Sequence, residues 1–190
     1  MTVQVENLDN GIQIVRLTGA SASKSFSRES LPIIADAIDK GLKNSEIKGM
    51  VITGEGKFFS AGADINAFQE SIEANEAPQL IRDLTNILHP LLIRIRESAT
   101  IVVAAINGAA AGGGLGLALA CDARIASPNA KLAASYASIG LSPDGGTTWL
   151  LPRLVGEQRS RQFFFANQIW NAEESVNAGA IDEVVNEDEL

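Results

Sequence analysis

A run of small residues at positions 107–116 is the feature of the sequence that could most directly do chemistry. It reads NGAAAGGGLG, follows an apolar stretch with strand character and opens a stretch with helical character. The first N–H groups of a helix have no partner within the helix, and glycine lets a ligand approach them closely. Three interpretations are open: a tight strand-to-helix crossover, a dinucleotide site, and an oxyanion hole whose N–H groups stabilise a carbonyl oxygen.

The dinucleotide interpretation fits poorly, because a G-x-G-x-x-G motif beginning at Gly114 needs a glycine at position 119, which is Leu. An oxyanion hole needs a second donor from elsewhere in the chain. The segment 59–65, FSAGADI, supplies one: it is a glycine-containing turn after a strand, and it leads into a helix for which Asp64 is the natural N-cap. A carbonyl held between the two loops would be polarised from both sides.

The elements that must position these loops alternate between strands and helices, which predicts one α/β domain over residues 1–190. Residues 55–63 are expected to form a loop, 131–141 are ambiguous, and 143–146 must be a turn. Strands are predicted in a hairpin at 3–6 and 12–17 and then at 48–53, 101–106, 122–126 and 181–185. Helices are predicted at 27–42, 64–70, 78–97, 157–167 and 172–179, and a further helix runs from the glycine-rich run to about residue 120.

Composition excludes several classes of function. Lys and Arg number 15 against 23 Asp and Glu, and a net charge of −8 argues against nucleic-acid binding but not against a single anionic ligand. The single cysteine, Cys121, allows neither an internal disulfide nor a zinc cluster, and we predict no metal. We see no signal peptide and no apolar run long enough to span a bilayer, so a cytoplasmic protein without a membrane partner is expected.

The segments FFSAGADI and AAINGAAAGGGLGLALACDARIAS resemble the two signature segments of the crotonase (enoyl-CoA hydratase/isomerase) family. The resemblance continues through IGLSPDGGTTWLLPRLVG to AGAIDEVV. It implies a crotonase-like spiral of ββα units, an acyl-CoA substrate, and assembly as a homotrimer or hexamer. Coenzyme A would enter as part of the substrate, with no permanently bound cofactor. Relatives continue into C-terminal helices that cover the acyl pocket and make the trimer contacts, and we expect that part to be missing here.

The resemblance also assigns roles to individual positions. The oxyanion donors would be the N–H groups of Ala63 and Gly113. The backbone from 60 to 65 would border the adenine and pantetheine of coenzyme A, whereas the segment around position 24 departs from the family's wording. The further residues implied to contact substrate are Lys24, Phe26, Ser60, Ala61, Gly62, Asp64, Ile65, Gly112 and Tyr136.

Proton transfer or attack requires a side chain in addition to the donors. Relatives that hydrate enoyl-CoA carry two glutamates, at positions that hold Gly116 and Tyr136 here, so two-glutamate hydration is doubtful. Asp144, in SPDGG, is by residue type alone a turn aspartate. The resemblance to isomerases of the epoxyphenylacetyl-CoA type makes it the residue that shuttles a proton, and the resemblance to dehalogenases makes it a nucleophile.

His89 is the only histidine, and it lies on a predicted helix. It is either a partly buried helix residue or, by resemblance to the dehalogenase branch, a catalytic group. Tyr136 either lines the acyl pocket or caps the core, and Trp149 is expected to pack rather than to stack on a ligand. The leading prediction is an enoyl-CoA isomerase that uses Asp144. The alternatives are an acyl-CoA hydrolase or dehalogenase with His89 as base, an enoyl-CoA hydratase, and a non-catalytic acyl-CoA binder.

Overall fold

The computed structural model describes residues 2–19 and 26–190. The predicted contact residue Lys24 lies outside the described residues. The strands are β1 (Val3–Asn7), β2 (Ile12–Leu17), β3 (Gly49–Thr53), β4 (Phe58–Ser60), β5 (Ile101–Ile106), β6 (Ala109–Ala111), β7 (Ala123–Ala126), β8 (Lys131–Ala133), β9 (Ile169–Asn171) and β10 (Glu183–Val184). The helices are α1 (Ser30–Lys43), α2 (Ile65–Glu73), α3 (Ala77–Glu97), α4 (Gly113–Ala120), α5 (Thr147–Val155), α6 (Glu157–Phe165) and α7 (Ala172–Ala178).

The larger sheet has six strands in the order β1-β2-β3-β5-β7-β10. β1 and β2 form the predicted antiparallel hairpin, with Val3 opposite Leu17, and the strands from β2 onward pair in parallel. Parallel neighbours need crossover connections, and helices α1, α3 and α4 supply them. The α/β class predicted from the sequence is therefore confirmed.

A smaller sheet, in the order β4-β6-β8-β9, carries the two glycine-containing loops. β4, β6 and β8 are parallel, and β9 closes the sheet antiparallel to β8. The expected loop over 55–63 thus contains strand β4, and the small-residue stretch contains strand β6. Both strands have three residues, which is too short for an alternating pattern to reveal them. The pairing of β4 with β6 places one loop beside the other.

The side chain of Asn107 connects the segments that lead into these loops. It accepts a hydrogen bond from the Gly54 N–H at 2.9 Å and donates to the carbonyl oxygens of Gly56 and Phe58 at 3.0 and 3.1 Å. A Cβ on Gly54 would lie 2.1 Å from the Phe58 carbonyl oxygen, so only glycine permits this close approach. The junction between β5 and β6 is therefore fixed against the junction between β3 and β4.

The core lies between the larger sheet and the apolar faces of α1 and α3. Leu31, Ile34 and Ile38 of α1 are fully buried at helical spacing. Cys121 is also fully buried, and its thiol donates to the Leu117 carbonyl oxygen at 3.3 Å. Burial raises the pKa of this thiol to about 12. Cys121 is thus a small core residue, as expected.

Besides β4 and β6, four regions differ from the sequence prediction, and one of them is strand β9, which was not predicted. Helix α5 was not predicted, because Gly145 and Gly146 before it and Pro152 inside it are typical of a loop. The ambiguous stretch 131–141 forms β8 followed by a 3₁₀ turn at Ala137–Ile139. The strand predicted at 181–185 is confined to Glu183–Val184. Among the helices of the described ranges, none combines the length and apolar character needed to cross a bilayer.

Candidate active site

A cavity of about 420 Å³ opens where the two glycine-containing loops meet helix α3 and the segment 135–144. Its wall is mostly apolar, with a few polar groups converging on it, which is typical of ligand sites. The predicted site residues that line it are Phe26, Ala61, Ala63, Ile65, His89, Gly112, Gly113, Tyr136 and Asp144. The structure therefore places both predicted oxyanion donors and both predicted catalytic side chains around one space.

The two loops touch through their backbones. Gly62 has φ +83°, and Gly112 has φ +52° with ψ −124°. A Cβ on Gly62 would lie 2.6 Å from the Ala111 carbonyl oxygen and 3.1 Å from the Gly113 nitrogen. Glycine is required at position 62 both by its left-handed backbone and by this contact. The approach brings the amide of Gly113 next to the turn that carries Ala63.

The N–H groups of Ala63 and Gly113 are both available to a ligand. Phe26 forms an isolated parallel bridge with Ala63, and its N–H donates to the Gly62 carbonyl oxygen at 2.9 Å. In such a bridge the bonds run to the neighbours of Ala63, so its own N–H faces away from Phe26. Gly113 is the first residue of α4, where an N–H has no intrahelical partner. Within the described part of the chain, neither N–H donates to a protein group.

Three predicted contact residues do not line the cavity, each for a physical reason. Asp64 caps helix α2, because its carboxylate accepts from the N–H groups of Asn66 and Ala67 at 2.9 and 3.4 Å. Ser60 is fully buried beneath α4, where it packs against Gly114. Gly62 forms the backbone contact between the two loops. These three residues therefore shape the first glycine-containing loop and do not line the cavity.

Asp144 lies half-buried at the side of the cavity, on the turn before α5. Its carbonyl oxygen accepts from the Tyr136 hydroxyl at 3.2 Å and from the Thr147 hydroxyl at 2.7 Å. Burial raises the pKa of the Asp144 carboxyl, and the charge of His89 and a hydrogen bond from Tyr136 oppose that rise. Burial, helped by the Asp144 charge, raises the pKa of Tyr136, so its phenol stays a hydrogen-bond donor. His89 is exposed on α3 and faces the same cavity.

A glutamate cannot be accommodated at position 116. A Cβ on Gly116 would lie 2.2 Å from the carbonyl oxygen of Gly145, so the backbone of the Asp144 turn occupies the space of a side chain. Tyr136 fills the second position at which hydrating relatives carry a glutamate. Among the described lining residues, Asp144 is the one carboxylate. No group of three or more His, Cys, Asp or Glu side chains suited to a metal ion occurs in the described ranges.

Sequence reasoning missed several residues of the wall. Helix α3 contributes Ile81, Leu84, Thr85 and Leu88 on the face that also carries His89. Their spacing of three and four residues could have indicated a shared face. Ser135 could not have been found in this way, because it lies outside α3, in the segment after β8, where its backbone is left-handed with φ +60°. The remaining lining residues are Phe68, Ile139, Leu141 and Ser142.

Comparison with known proteins identifies the family and several relatives of the chain. The model of the enoyl-CoA hydratase/isomerase family matches residues 7–190. The chain is 34% identical over 180 residues to a crotonyl-CoA hydratase of Syntrophomonas wolfei, covering 94% of the chain and 67% of the relative. It is 30% identical over 187 residues to a 1,2-epoxyphenylacetyl-CoA isomerase of Escherichia coli, covering 98% and 71%. It is 30% identical over 185 residues to a 4-chlorobenzoyl coenzyme A dehalogenase of an Arthrobacter species, covering 97% and 66%.

The fold is likewise that of solved members of the family. The crystal structure of an enoyl-CoA hydratase from Bacillus halodurans superposes with a TM-score of 0.89 at 26% identity, covering 98% of this chain and 74% of that one. The crotonase-like fold expected from the two signature segments is thereby confirmed. The chain spans about two thirds of the length of the curated relatives it matches. On the family match and the identity with these relatives, the chain belongs to the enoyl-CoA hydratase/isomerase, or crotonase, family.

Proposed function

We propose that this chain moves a double bond within an acyl-CoA, or rearranges its acyl group, through an enolate, with Asp144 as acid and base. The observation that carries the proposal is the position of Asp144. It is the one carboxylate among the described residues of a cavity that also presents the unpartnered N–H groups of Ala63 and Gly113. A thioester oxygen between two donors and a carboxylate beside its acyl group is the minimum arrangement for proton abstraction next to a carbonyl.

The two donors should matter as much as the base, because they stabilise the charge that develops on the substrate. When the α-proton leaves, negative charge grows on the thioester oxygen, and preorganised N–H groups stabilise that charge without reorganising. Loss of one such donor typically costs about 3–4 kcal/mol in the transition state. The mostly apolar wall strengthens these interactions because it keeps water from the developing charge. The N–H groups of Ala63 and Gly113 thus lower the barrier to enolate formation.

Asp144 supplies the proton transfers. Its raised pKa makes the carboxylate a stronger base than an ordinary aspartate, and burial is the cause. It takes a proton from one carbon of the acyl group and then gives a proton to another carbon, so that its own charge is restored. One carboxylate suffices for this shift, whereas adding water in the two-glutamate manner needs two. The absence of a second carboxylate among the described lining residues therefore favours isomerisation over hydration.

A second candidate is acyl-CoA dehalogenation or hydrolysis, with Asp144 as nucleophile and His89 activating water. It is favoured by one observation: His89 lines the same cavity as Asp144. One of the similar proteins, at 30% identity, is named a 4-chlorobenzoyl coenzyme A dehalogenase. A covalent ester trapped on Asp144, or loss of acyl-CoA dehalogenation or hydrolysis in His89→Gln, would favour this candidate. A chain that only binds acyl-CoA would exchange no α-proton with solvent.

The test is Asp144→Asn, assayed with 3-enoyl-CoA substrates and by exchange of the α-proton in deuterated water. We expect turnover to fall about 10²- to 10⁴-fold, because a positioned acid or base contributes that much, while acyl-CoA binding persists. The matched control is Asp36→Asn, on the exposed surface of α1, where the carboxylate pairs with Lys40. Isomerase turnover of Asp144→Asn near the wild-type rate would contradict the proposal.

A further inference from the structure

Phe26 contacts both oxyanion loops from a third segment of the chain. Its backbone pairs with the first loop, through the bridge to Ala63 and the N–H that donates to the Gly62 carbonyl oxygen. Its ring packs on the second loop, because a Cβ on Gly113 would lie 2.9 Å from both Cδ2 and Cε2 of Phe26. Phe26 is 2% exposed, so it fills the angle between the loops. One residue thus adjoins both donors.

Leu88 of helix α3 supports the second loop beside Phe26. A Cβ on Gly113 would lie 3.2 Å from Cδ2 of Leu88, and the Leu88 side chain is buried. Gly113 therefore lies against two apolar side chains that come from different parts of the chain. Close packing fixes position, because a shift in either direction opens a void or creates an overlap. The direction of the Gly113 N–H therefore depends on where these two side chains lie.

Arg28 anchors the segment that carries Phe26 to helix α3. Its Nε donates to Oδ2 of Asp83 at 2.8 Å. Nε2 of Gln79 donates to the other oxygen of that carboxylate, Oδ1, at 2.6 Å, so the acceptor is itself held in place. The side chains of Arg28 and Asp83 are 44% and 34% exposed, and neither is among the described residues that line the cavity. The anchor is therefore at the surface, outside the site.

Ser27 makes the link between Phe26 and helix α1 rigid. Its hydroxyl accepts from the N–H groups of Glu29 and Ser30 at 3.2 and 3.0 Å, and its own N–H donates to the Ser30 hydroxyl at 3.0 Å. Such bonds between a side chain and nearby backbone groups fix the entry of the chain into a helix. Phe26 is therefore connected to α1 through Ser27 and to α3 through Arg28.

We infer that Phe26 is a positioning residue for the oxyanion hole, and that Arg28 holds Phe26 in place through Asp83. This inference rests on the proposed function only in taking the N–H groups of Ala63 and Gly113 to bind a thioester oxygen. Two donors stabilise a growing charge only while their spacing and direction are kept, and a displacement of about 1 Å can cost about 10²-fold in rate. Phe26 keeps that spacing because it is bonded to one loop and packed on the other.

The C=O stretching frequency of a bound thioester measures the donors directly, because hydrogen bonds to the oxygen lower it. The probe is butanoyl-CoA, isotope-labelled at the thioester carbonyl carbon and bound to an excess of protein, and it needs no turnover. In Phe26→Ala we expect the frequency to rise towards that of the free thioester. We also expect kcat for 3-hexenoyl-CoA to fall about 10- to 10²-fold, with a smaller change in KM. Phe26→Leu keeps an apolar side chain of similar reach and should restore most of both.

Phe163→Leu controls for a general loss of stability. Phe163 is fully buried in α6, where its ring centre lies 4.4 Å from that of Trp170, and it is not among the described residues that line the cavity. Truncating it should lower the melting temperature, because it opens a void in the core. The C=O frequency should stay at the wild-type value, because neither oxyanion loop loses a contact.

Arg28→Met tests the anchor without disturbing the core. We expect the C=O frequency to rise in the same direction as in Phe26→Ala but by less, and kcat to fall about twofold to fivefold, which is the range for an exposed ion pair. Lys40→Met is the matched control, because it removes the exposed pair between Lys40 and Asp36 on α1. It should change neither the frequency nor kcat.

The outcomes separate this inference from the proposed function. A wild-type frequency and kcat in Phe26→Ala overturn the positioning role, and wild-type values in Arg28→Met overturn the anchor, while the proposed function stands. Should Phe26→Ala not fold, Phe26→Val takes its place, because its shorter side chain also loses the contact with Gly113. Absence of isomerisation for every 3-enoyl-CoA overturns the proposed function, and the frequency of bound butanoyl-CoA still decides the role of Phe26. A wild-type frequency equal to that of the free thioester overturns both.

Discussion

Asp144 is held between opposing influences that decide at which pH it can act. Burial raises the pKa of its carboxyl, while the charge of His89 and the hydroxyl of Tyr136 lower it, and the net direction is upward. Burial makes the Asp144 carboxylate a stronger base, but the carboxyl group must lose its proton before it can accept one from the substrate. A higher pKa therefore gives a stronger base that is ionised over a narrower range of pH.

This balance predicts the pH dependence of the reaction. A base must be deprotonated, so kcat/KM should fall as the pH drops through the pKa of Asp144. Because that pKa is raised, the fall should occur above the ordinary aspartate value of about 3.9. A pH–rate profile measures it, and residual activity in Asp144→Asn should lack this limb. An acid limb at or below the ordinary value would contradict the environment described for Asp144.

Tyr136→Phe tests the second influence. Removing the hydroxyl takes away a hydrogen bond that lowers the pKa of Asp144, so the acid limb should move to higher pH. The lost bond to the Asp144 carbonyl oxygen should also reduce the free energy of unfolding by about 1 kcal/mol. Thr147→Val is the control, because it removes another side-chain hydrogen bond to that oxygen, while the side chains that lower the carboxyl pKa are those of His89 and Tyr136. If both variants moved the limb equally, Tyr136 would act only through the turn.

For single residues, the sequence predicted which side chains could act in the site better than it predicted the contacts of those side chains. Asp144 and His89 could be picked out because few side chains in the chain can transfer protons. The hydrogen bonds of Tyr136 could not be predicted, because they depend on how the 3₁₀ turn at Ala137–Ile139 folds its hydroxyl back towards the Asp144 turn. The same limit applies to Ser135, whose left-handed backbone follows from its surroundings rather than from its type.

Helix α4 shows how an element can restrict chemistry by its packing. Its residues from 114 to 120 are buried, and Gly116 contacts the carbonyl oxygen of Gly145. The backbones of the helix and of the Asp144 turn are therefore in direct contact, with no room for a side chain between them. A side chain on α4 at this point would push the turn, and with it the catalytic carboxylate, out of position.

The sign of the change in the free energy of unfolding in Gly116→Ala tests this packing. At an open helical position, replacing glycine by alanine stabilises a protein by about 0.5–1 kcal/mol. Here a Cβ would be 2.2 Å from a backbone oxygen, so we expect a loss of about 1–3 kcal/mol on thermal or denaturant unfolding, together with reduced turnover. Gly116→Glu should not confer hydratase activity. A stabilised Gly116→Ala protein would show that the turn moves away at little cost.

Asn107 offers a second test at the scale of the elements. Its side chain makes three hydrogen bonds between the segments that lead into the oxyanion loops. Asn107→Ala should lower the free energy of unfolding by about 3 kcal/mol, at about 1 kcal/mol for each bond, and should also lower kcat/KM because the loops are less well aligned. The control Asn186→Ala, whose side chain bonds only to exposed Glu189, should change stability by less than about 0.5 kcal/mol.

The sequence predicted the longer elements of the fold and missed several of the shorter ones. The hairpin, α1, α3 and β5 have clear periodicity and came out close to their actual bounds. β4 and β6 are too short for any period, and α5 is a helix despite the residues that normally break one. These missed elements are the ones around the site, so the loops could be recognised by motif while their supports could not be predicted by pattern.

For the whole molecule, we propose that the chain self-associates through an exposed apolar corner, in addition to the trimer or hexamer contacts that the family resemblance assigns to C-terminal helices. Phe165 and Ile169, at the corner between α6 and β9, are 85% and 61% exposed, which is typical of a surface that packs against another chain. We expect sedimentation to show concentration-dependent association that the double variant Phe165→Ser, Ile169→Ser weakens. The control Ile72→Ser should not weaken it. A wild-type chain that is monomeric at every concentration would contradict this proposal.

The buried thiol in the core gives the enzyme a property of practical use. Cys121 is the only cysteine of the sequence, and its high pKa and complete burial keep it from reacting with disulfide reagents while the protein stays folded. Any rapid colour change with such a reagent must then come from coenzyme A released by thioester cleavage. An isomerase leaves the thioester intact and gives no signal, whereas a hydrolase gives one for each turnover. The same reagent, added as denaturant is raised, would report the opening of the core.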